Sequence, residues 1–164
     1  MAELTVLEAK LGEVIGLAMA AQGATEKVAK LVDNEQIVSK LEKMNEEAAE
    51  TERRATEAAS NLDGKKTAIL EKARETKQEA QEMMSTYLGS DADGLDGMEF
   101  LTMAEAGEVG HVEILAEVAK KAGPEAREIL EVAEWAMPVQ QRHFEQTRNG
   151  ALTLAREEDP NGAA

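Results

Sequence analysis

The sequence predicts an all-α fold in which two long antiparallel helical hairpins are joined by a helical crossover. Three observations point there. Strand-like alternation is nearly absent. Apolar residues recur in alternating three- and four-residue steps over long stretches. Breakers are few and clustered, with Pro only at 124, 138 and 160.

The elements follow in order. The first helix is predicted over about 3–32, with Leu4, Leu7, Leu11, Val14, Ala18, Ala21, Thr25, Val28 and Val32 on one stripe. Asp33-Asn34 breaks it, and a two-residue break makes antiparallel neighbours. The second covers about 35–62 with Ile37, Leu41, Met44, Ala48, Ala55, Ala58 and Leu62, and Asp63-Gly64 ends it. The third, about 65–88, is more polar and places Ile69, Ala73, Ala80, Met83 and Tyr87 on its buried side. An acidic stretch leads to a fourth helix over about 98–122, with Asp96 as its expected N-cap. Its expected stripe is Leu101, Ala104, Glu108, His111, Leu115, Val118 and Ala122. Gly123-Pro124 stops one helix and starts the next. The last runs over about 124–156, with Ile129, Ala133, Ala136, Gln140, Phe144, Thr147, Ala151 and Leu154 inward and a bend expected at Pro138. About 35 residues separate the hairpins, too many for a simple up-down-up-down loop.

Length and charge bound the rest. The chain has 164 residues, which predicts one domain, taken as 1–156, with a disordered tail over 157–164. Its net charge of −15 argues against a basic groove for nucleic acid. With no cysteine there is no disulfide framework, thiolate zinc site or thiol nucleophile. No stretch approaches the ~20 apolar residues that span a bilayer. The opening Met1-Ala2-Glu3 lacks the layout of a secretory signal. Together these predict a cytoplasmic protein with neither a membrane nor a nucleic-acid partner.

Polar groups interrupt the apolar stripes. Glu108, His111, Gln140 and His143 fall on or beside the last two stripes, and Glu105 sits one step off, still inward. A buried charge costs several kcal/mol unless it is paired or bound to metal. Counting outward from each hairpin turn at about 1.5 Å per residue puts Glu105 and Glu108 level with Gln140 and His143. His111 comes out roughly a turn nearer the hairpin end. The same count in the first hairpin levels Gln22 with Glu47 and Glu50, which share a helix face at the i,i+3 step. Four helices thus contribute Gln22, Glu47/Glu50, Glu105/Glu108 and Gln140/His143 near one height.

Di-metal carboxylate bundles use a Glu from each of two helices and Glu-x-x-His from the other two. The chain resembles a divergent member of that ferritin-like superfamily, most similar to the small Yci-type bacterial ferritin-like stress proteins. The likeness lies in length, in the helical crossover, and in the acidic Glu105-Ala106-Gly107-Glu108 followed by a run to Ala122-Gly123. It spans roughly residues 10–156. It implies a ferritin-like four-helix bundle, an iron or manganese site and a part in oxidative-stress response; the several polar-striped helices, which could face another subunit, point to a homo-oligomer.

The chain departs from the pattern at three places. The first-helix Glu becomes Gln22, the second Glu-x-x-His becomes Glu47-x-x-Glu50, and the last becomes Gln140-x-x-His143. Gln is a poor ligand for a cation. The metal set that remains is Glu47, Glu50, Glu105, Glu108, His143 and His111. Three outcomes stay open: one metal, two in an altered site, or a relic bundle that binds none.

Plainer roles stand beside each reading. Glu105 and Glu108 fit a carboxylate pair partly solvated at a helix edge or salt-bridged to a neighbouring helix, Glu47 and Glu50 a solvated face, and His143 a core-edge histidine on a carboxylate. The eight Met read as flexible packing, and Trp135 as a core or crossover contact. Asp91-x-Asp93-Gly94 hints at a calcium loop, but Leu95 and Thr102 stand where an EF-hand needs oxygen ligands. No G-x-S-x-G, P-loop or G-x-G-x-x-G occurs. The first functional expectation is a ferritin-like metal-binding protein with a degenerate site. The second is a non-catalytic structural or interaction bundle that has lost its metal. A lipid-surface role is opposed by the negative charge.

Overall fold

The computed structural model describes residues 3–163. Met1, Ala2 and Ala164, the ends of the expected domain and tail, lie outside the described residues. The described chain is all-helical: α1 (Val6–Ala29), α2 (Glu35–Ser60), α3 (Lys66–Tyr87), α4 (Gly94–Ala122) and α5 (Arg127–Glu157). A short 3₁₀ turn, Pro124–Ala126, precedes α5. None of these helices is long and apolar enough to cross a membrane.

Local chemistry sets the ends. Thr5 and Glu8 form a capping box at α1, and the Asn34 side chain accepts from Gln36 and Ile37 at α2. The α4 cap differs from expectation. Asp93 is the N-cap, Asp96 is its capping-box partner at the third helical position, and α4 begins four residues earlier than the pattern indicates. Gly94 and Gly97 permit this start, because they lie against Leu31 and Val28 at the end of α1. At its far end α4 stops at Gly123, whose φ of +86° suits glycine. The helix α5 continues through Pro138, which faces solvent. It also takes in Glu157, leaving 158–163 exposed and outside any helix.

Packing orders the helices. α1 packs on α2, α3 and α4, and α5 packs on α4 and α2. The Asn61 side chain at the end of α2 donates to Glu128 at the start of α5, while Gly150 late in α5 lies against Ile37 early in α2. These two helices are therefore antiparallel. The crossover α3 lies directly on α1. A Cβ at Gly16 would stand 2.3 Å from the Ala73 carbonyl oxygen, and one at Gly12 would stand 2.9 Å from that of Ile69. Only glycine allows so close a backbone approach.

Two expected stripes are rotated. On α4 the buried line is Leu101, Glu105, Glu108, Val112, Leu115 and Ala119, so His111 and Val118 are only half-buried and Ala122 is exposed. On α5 it passes through His143 and Gly150, leaving Phe144 and Ala151 at the edge. The early half of α3 is buried as expected, but Met83 and Tyr87 are 59% and 58% exposed, because the buried residues of α3 are Ala68, Ile69, Ala73 and Thr76, all in its first half. Trp135 is a core-edge contact, with the Arg54 guanidinium 4.3 Å above its ring.

The core has two apolar parts. One gathers Leu11, Ile15, Ala55, Ile69, Leu115, Ile129 and Ala133. The other gathers Val28, Leu41, Met44, Met98 and Leu101. Between them α2, α4 and α5 insert Thr51, Glu105, Glu108, Gln140 and His143, all buried.

Candidate functional site

The centre of this layer is His143, 2% exposed. Its Nε2 lies 3.5 Å from Oε1 of Glu47 on α2, and its Nδ1 lies 3.7 Å from Oε2 of Glu105 on α4. One imidazole therefore stands between two carboxyl groups from two other helices. Three buried polar atoms here have no hydrogen-bond partner: Glu47 Oε1, Glu105 Oε2 and His143 Nε2. Unpartnered buried polar atoms are uncommon in folded proteins and call for a proton, a water or an ion.

Two other carboxyl oxygens of the layer have partners. The Gln140 amide donates to Glu108, one turn along α4 from Glu105. Arg142 reaches across to the other oxygen of Glu47, and its partly exposed guanidinium keeps that carboxylate compensated. The Thr51 hydroxyl turns to the Glu47 carbonyl oxygen and the Thr147 hydroxyl to that of His143, so neither is left bare.

Burial controls the protonation. Desolvation raises Glu105 to about 8. Desolvation and then the neighbouring Glu105 charge push Glu108 well above the usual carboxyl range, against the opposing Gln140 bond. Desolvation lowers His143, with Glu47 and Glu108 pulling the other way. A consistent arrangement at neutral pH has Glu105 and Glu108 protonated and His143 neutral, beside the Glu47–Arg142 pair.

The structure brings together four of the six residues that the sequence proposes as ligands: Glu47, Glu105, Glu108 and His143. It leaves two outside. Glu50 turns to the surface between Arg53 and Arg54, which hold its carboxyl down at about 2. His111 is 40% exposed at its side chain, with Nδ1 2.9 Å from the Gly107 carbonyl oxygen and Nε2 3.9 Å from Glu13. Gln22, on the same level, donates to Glu52 rather than entering the layer. Arg142 is the participant that periodicity misses, because a residue beside the buried face is read as solvated.

Two ligands of one ion, each about 2.1 Å from it, lie within about 4.2 Å of each other. The spacings from His143 to Glu47 and to Glu105 satisfy that limit pairwise. Among the described residues, however, no group of three or more His, Asp or Glu is gathered so that it could hold a metal ion as placed. The full two-metal set does not fit, since Gln22, Glu50 and Gln140 are each bonded elsewhere or lack the charge. No protein-family model matches the chain, and no curated protein or solved structure matches it.

Proposed function

We propose that the chain is a ferritin-like bundle, with α1, α2, α4 and α5 as its four helices and α3 as the crossover, that binds one iron or manganese ion in a reduced form of the two-metal site. The observation that carries this reading is the set of three unpartnered buried atoms on Glu47, Glu105 and His143. Glu105, Glu108 and Nδ1 of His143 would hold the ion. Nε2 of His143 would then donate to Glu47, which Arg142 holds in place. A histidine oriented by a carboxylate behind it is the usual support of a metal ligand. Carboxylates with one imidazole suit iron or manganese, and a bound ion would supply redox or Lewis-acid chemistry. The oxidative-stress role implied by the resemblance belongs to the same reading.

The test is metal content by elemental mass spectrometry. The chain is loaded anaerobically with Fe(II), and separately with Mn(II) or Zn(II), then desalted. About one ion per chain is expected, lost in His143→Ala and in Glu105→Gln. No retained metal, or metal indifferent to both substitutions, overturns the reading.

A second reading is favoured by the bonds of Gln140 to Glu108 and Arg142 to Glu47, which satisfy two carboxyls without a metal. In it the bundle is a non-catalytic structural or interaction protein whose acids are kept neutral by burial. The same measurement separates the two.

A further inference from the structure

Among the described residues six large apolar side chains are at least 46% exposed, and four of them share one face: Met83, Tyr87, Met103 and Leu152. They line two adjoining clefts of about 230 and 550 Å³, which meet at Tyr87, Phe100 and Met103. The first cleft lies between α1, α3 and α4, and the second mainly between α4 and α5. One groove therefore crosses three helices. Its rim is too open to enclose a small molecule, whose pockets bury most of the ligand surface. The net charge of −15 opposes a lipid surface. Exposed apolar side chains gathered on one face then mark a site of protein association.

We propose that a second copy of this chain covers the groove, related by a two-fold axis that runs along it between α4 and α5, with Glu99 of each copy on Arg148 of the other. The inference does not rest on the metal reading and uses none of its residues.

Charge selects this occupant. Glu99 on α4 and Arg148 on α5 both line the second cleft, and both are exposed. Glu99 lies 24 residues before Gly123 and Arg148 lies 25 after it, so the two are level on their antiparallel helices. They do not pair with each other, and among the described residues neither joins any ion pair; the Arg148 guanidinium is instead 5.6 Å from the centre of the Phe144 ring. Asp96, also in this cleft, is held by the α4 capping box. A partner of one sign would satisfy one of these two charges and oppose the other. A copy turned about an axis parallel to the helices presents its α5 to α4 and its α4 to α5, so an acid meets a base twice per dimer. The same rotation brings the two apolar grooves together. Such a contact closes on itself and stops at two copies. At its inner end the first cleft reaches Glu105, Glu108 and His111; two are buried and the third bonds within its own helix, and the contact is assigned to none of them.

The experiment is sedimentation equilibrium of the chelator-treated full chain over a hundredfold range of concentration, with circular dichroism of each variant to confirm its helices. Expected is a reversible monomer–dimer equilibrium that weakens as salt is lowered, because two chains of charge −15 repel each other when unscreened. Leu152→Lys, Glu99→Arg and Arg148→Glu should each weaken dimerisation roughly tenfold or more, since like charges or a lone charge placed in an interface are costly. All three side chains are exposed, so the variants keep the fold. The decisive sample is an equal mixture of the Glu99→Arg and Arg148→Glu chains. Each is monomeric alone, but together they should combine one to one, because every contact across the mixed dimer again joins opposite charges. A mixture that stays monomeric overturns the proposal. So does a parent chain that is monomeric throughout, an assembly larger than a dimer, or a dimer indifferent to the three substitutions. A monomer whose groove takes the neutral dye Nile red or a cationic amphipathic peptide has another occupant there, which also overturns it. A monomeric chain that retains metal overturns this inference alone, and a dimer that retains none overturns the metal reading alone.

Discussion

Nδ1 of His143 lies 3.7 Å from Oε2 of Glu105, and neither residue is more than 2% exposed. A shift of about half an ångström would make this a hydrogen bond. With Glu105 protonated, its O–H is the donor and Nδ1 the acceptor, which fixes the other ring nitrogen as the N–H that faces Glu47. The tautomer of the imidazole therefore depends on the protonation of a carboxyl on another helix.

Stability of the metal-free chain should fall as pH rises above neutrality. Glu105 is raised from 4.5 to about 8 and Glu108 is raised in the same direction. For a raised carboxyl the stabilisation is complete below the unfolded value and is lost as pH climbs through the folded one. His143 is lowered from 6.5, so its contribution is present above that value and is lost as pH falls through its folded one. Urea midpoints measured from pH 4 to 9 should therefore be highest near pH 4.5 and decline toward 9, less steeply below 6.5 where His143 opposes the loss, at no more than about 1.4 kcal/mol per pH unit for each proton linked. A midpoint still rising from pH 6 to pH 9 would contradict the protonation scheme.

Replacing Glu105 by Gln should remove much of that decline. At pH 8.5 the variant should be more stable than the parent by about 1–2 kcal/mol, and at pH 5 nearly equal to it, because Gln cannot ionise. Parallel pH profiles for the two chains would show that Glu105 is not the titrating group.

Gly16→Ala should destabilise the chain by about 1–3 kcal/mol, the usual penalty for overpacking. The added carbon would press on backbone, the Ala73 carbonyl oxygen, and on the Thr76 Cβ at 2.7 Å, neither of which is a flexible chain end. Gly23→Ala in the same helix meets nothing within 4 Å and should be neutral or slightly stabilising. Thermal denaturation of the pair distinguishes a steric contact from a propensity effect.

His111→Ala and Glu50→Gln should leave metal content unchanged, whereas His143→Ala should reduce it. His111 bonds within its own helix, and Glu50 is held by Arg53 and Arg54. Loss of metal in either outer variant would relocate the site.

Much of this was legible from the residues. Clustered breakers and long apolar stripes locate all five helices, and hairpin counting puts Glu47, Glu105, Glu108 and His143 at one height. The direction of side chains was less legible. On α4 the glycines at 94 and 97 let the helix start early against α1, and the buried line passes through Val112, turning His111 outward. Glu47 and Glu50 share a sequence step, but two adjacent arginines draw Glu50 to the surface while Arg142 of α5 keeps Glu47 near the layer. The exposure of Met83 and Tyr87 was beyond periodicity, because it follows from which half of α3 the glycines of α1 admit.

The polar layer that divides the two apolar parts of the core is also a mechanical seam. Each part has its own contacts, whereas the junction relies on protons and a few long-reaching side chains. Sub-global opening should begin there, so amide exchange of the segments around Ala48, Leu101 and Thr147 would report a lower barrier than the helix segments on either side. Any cation that settles on Glu105 and Glu108 would close that seam and make the chain unfold as one cooperative unit.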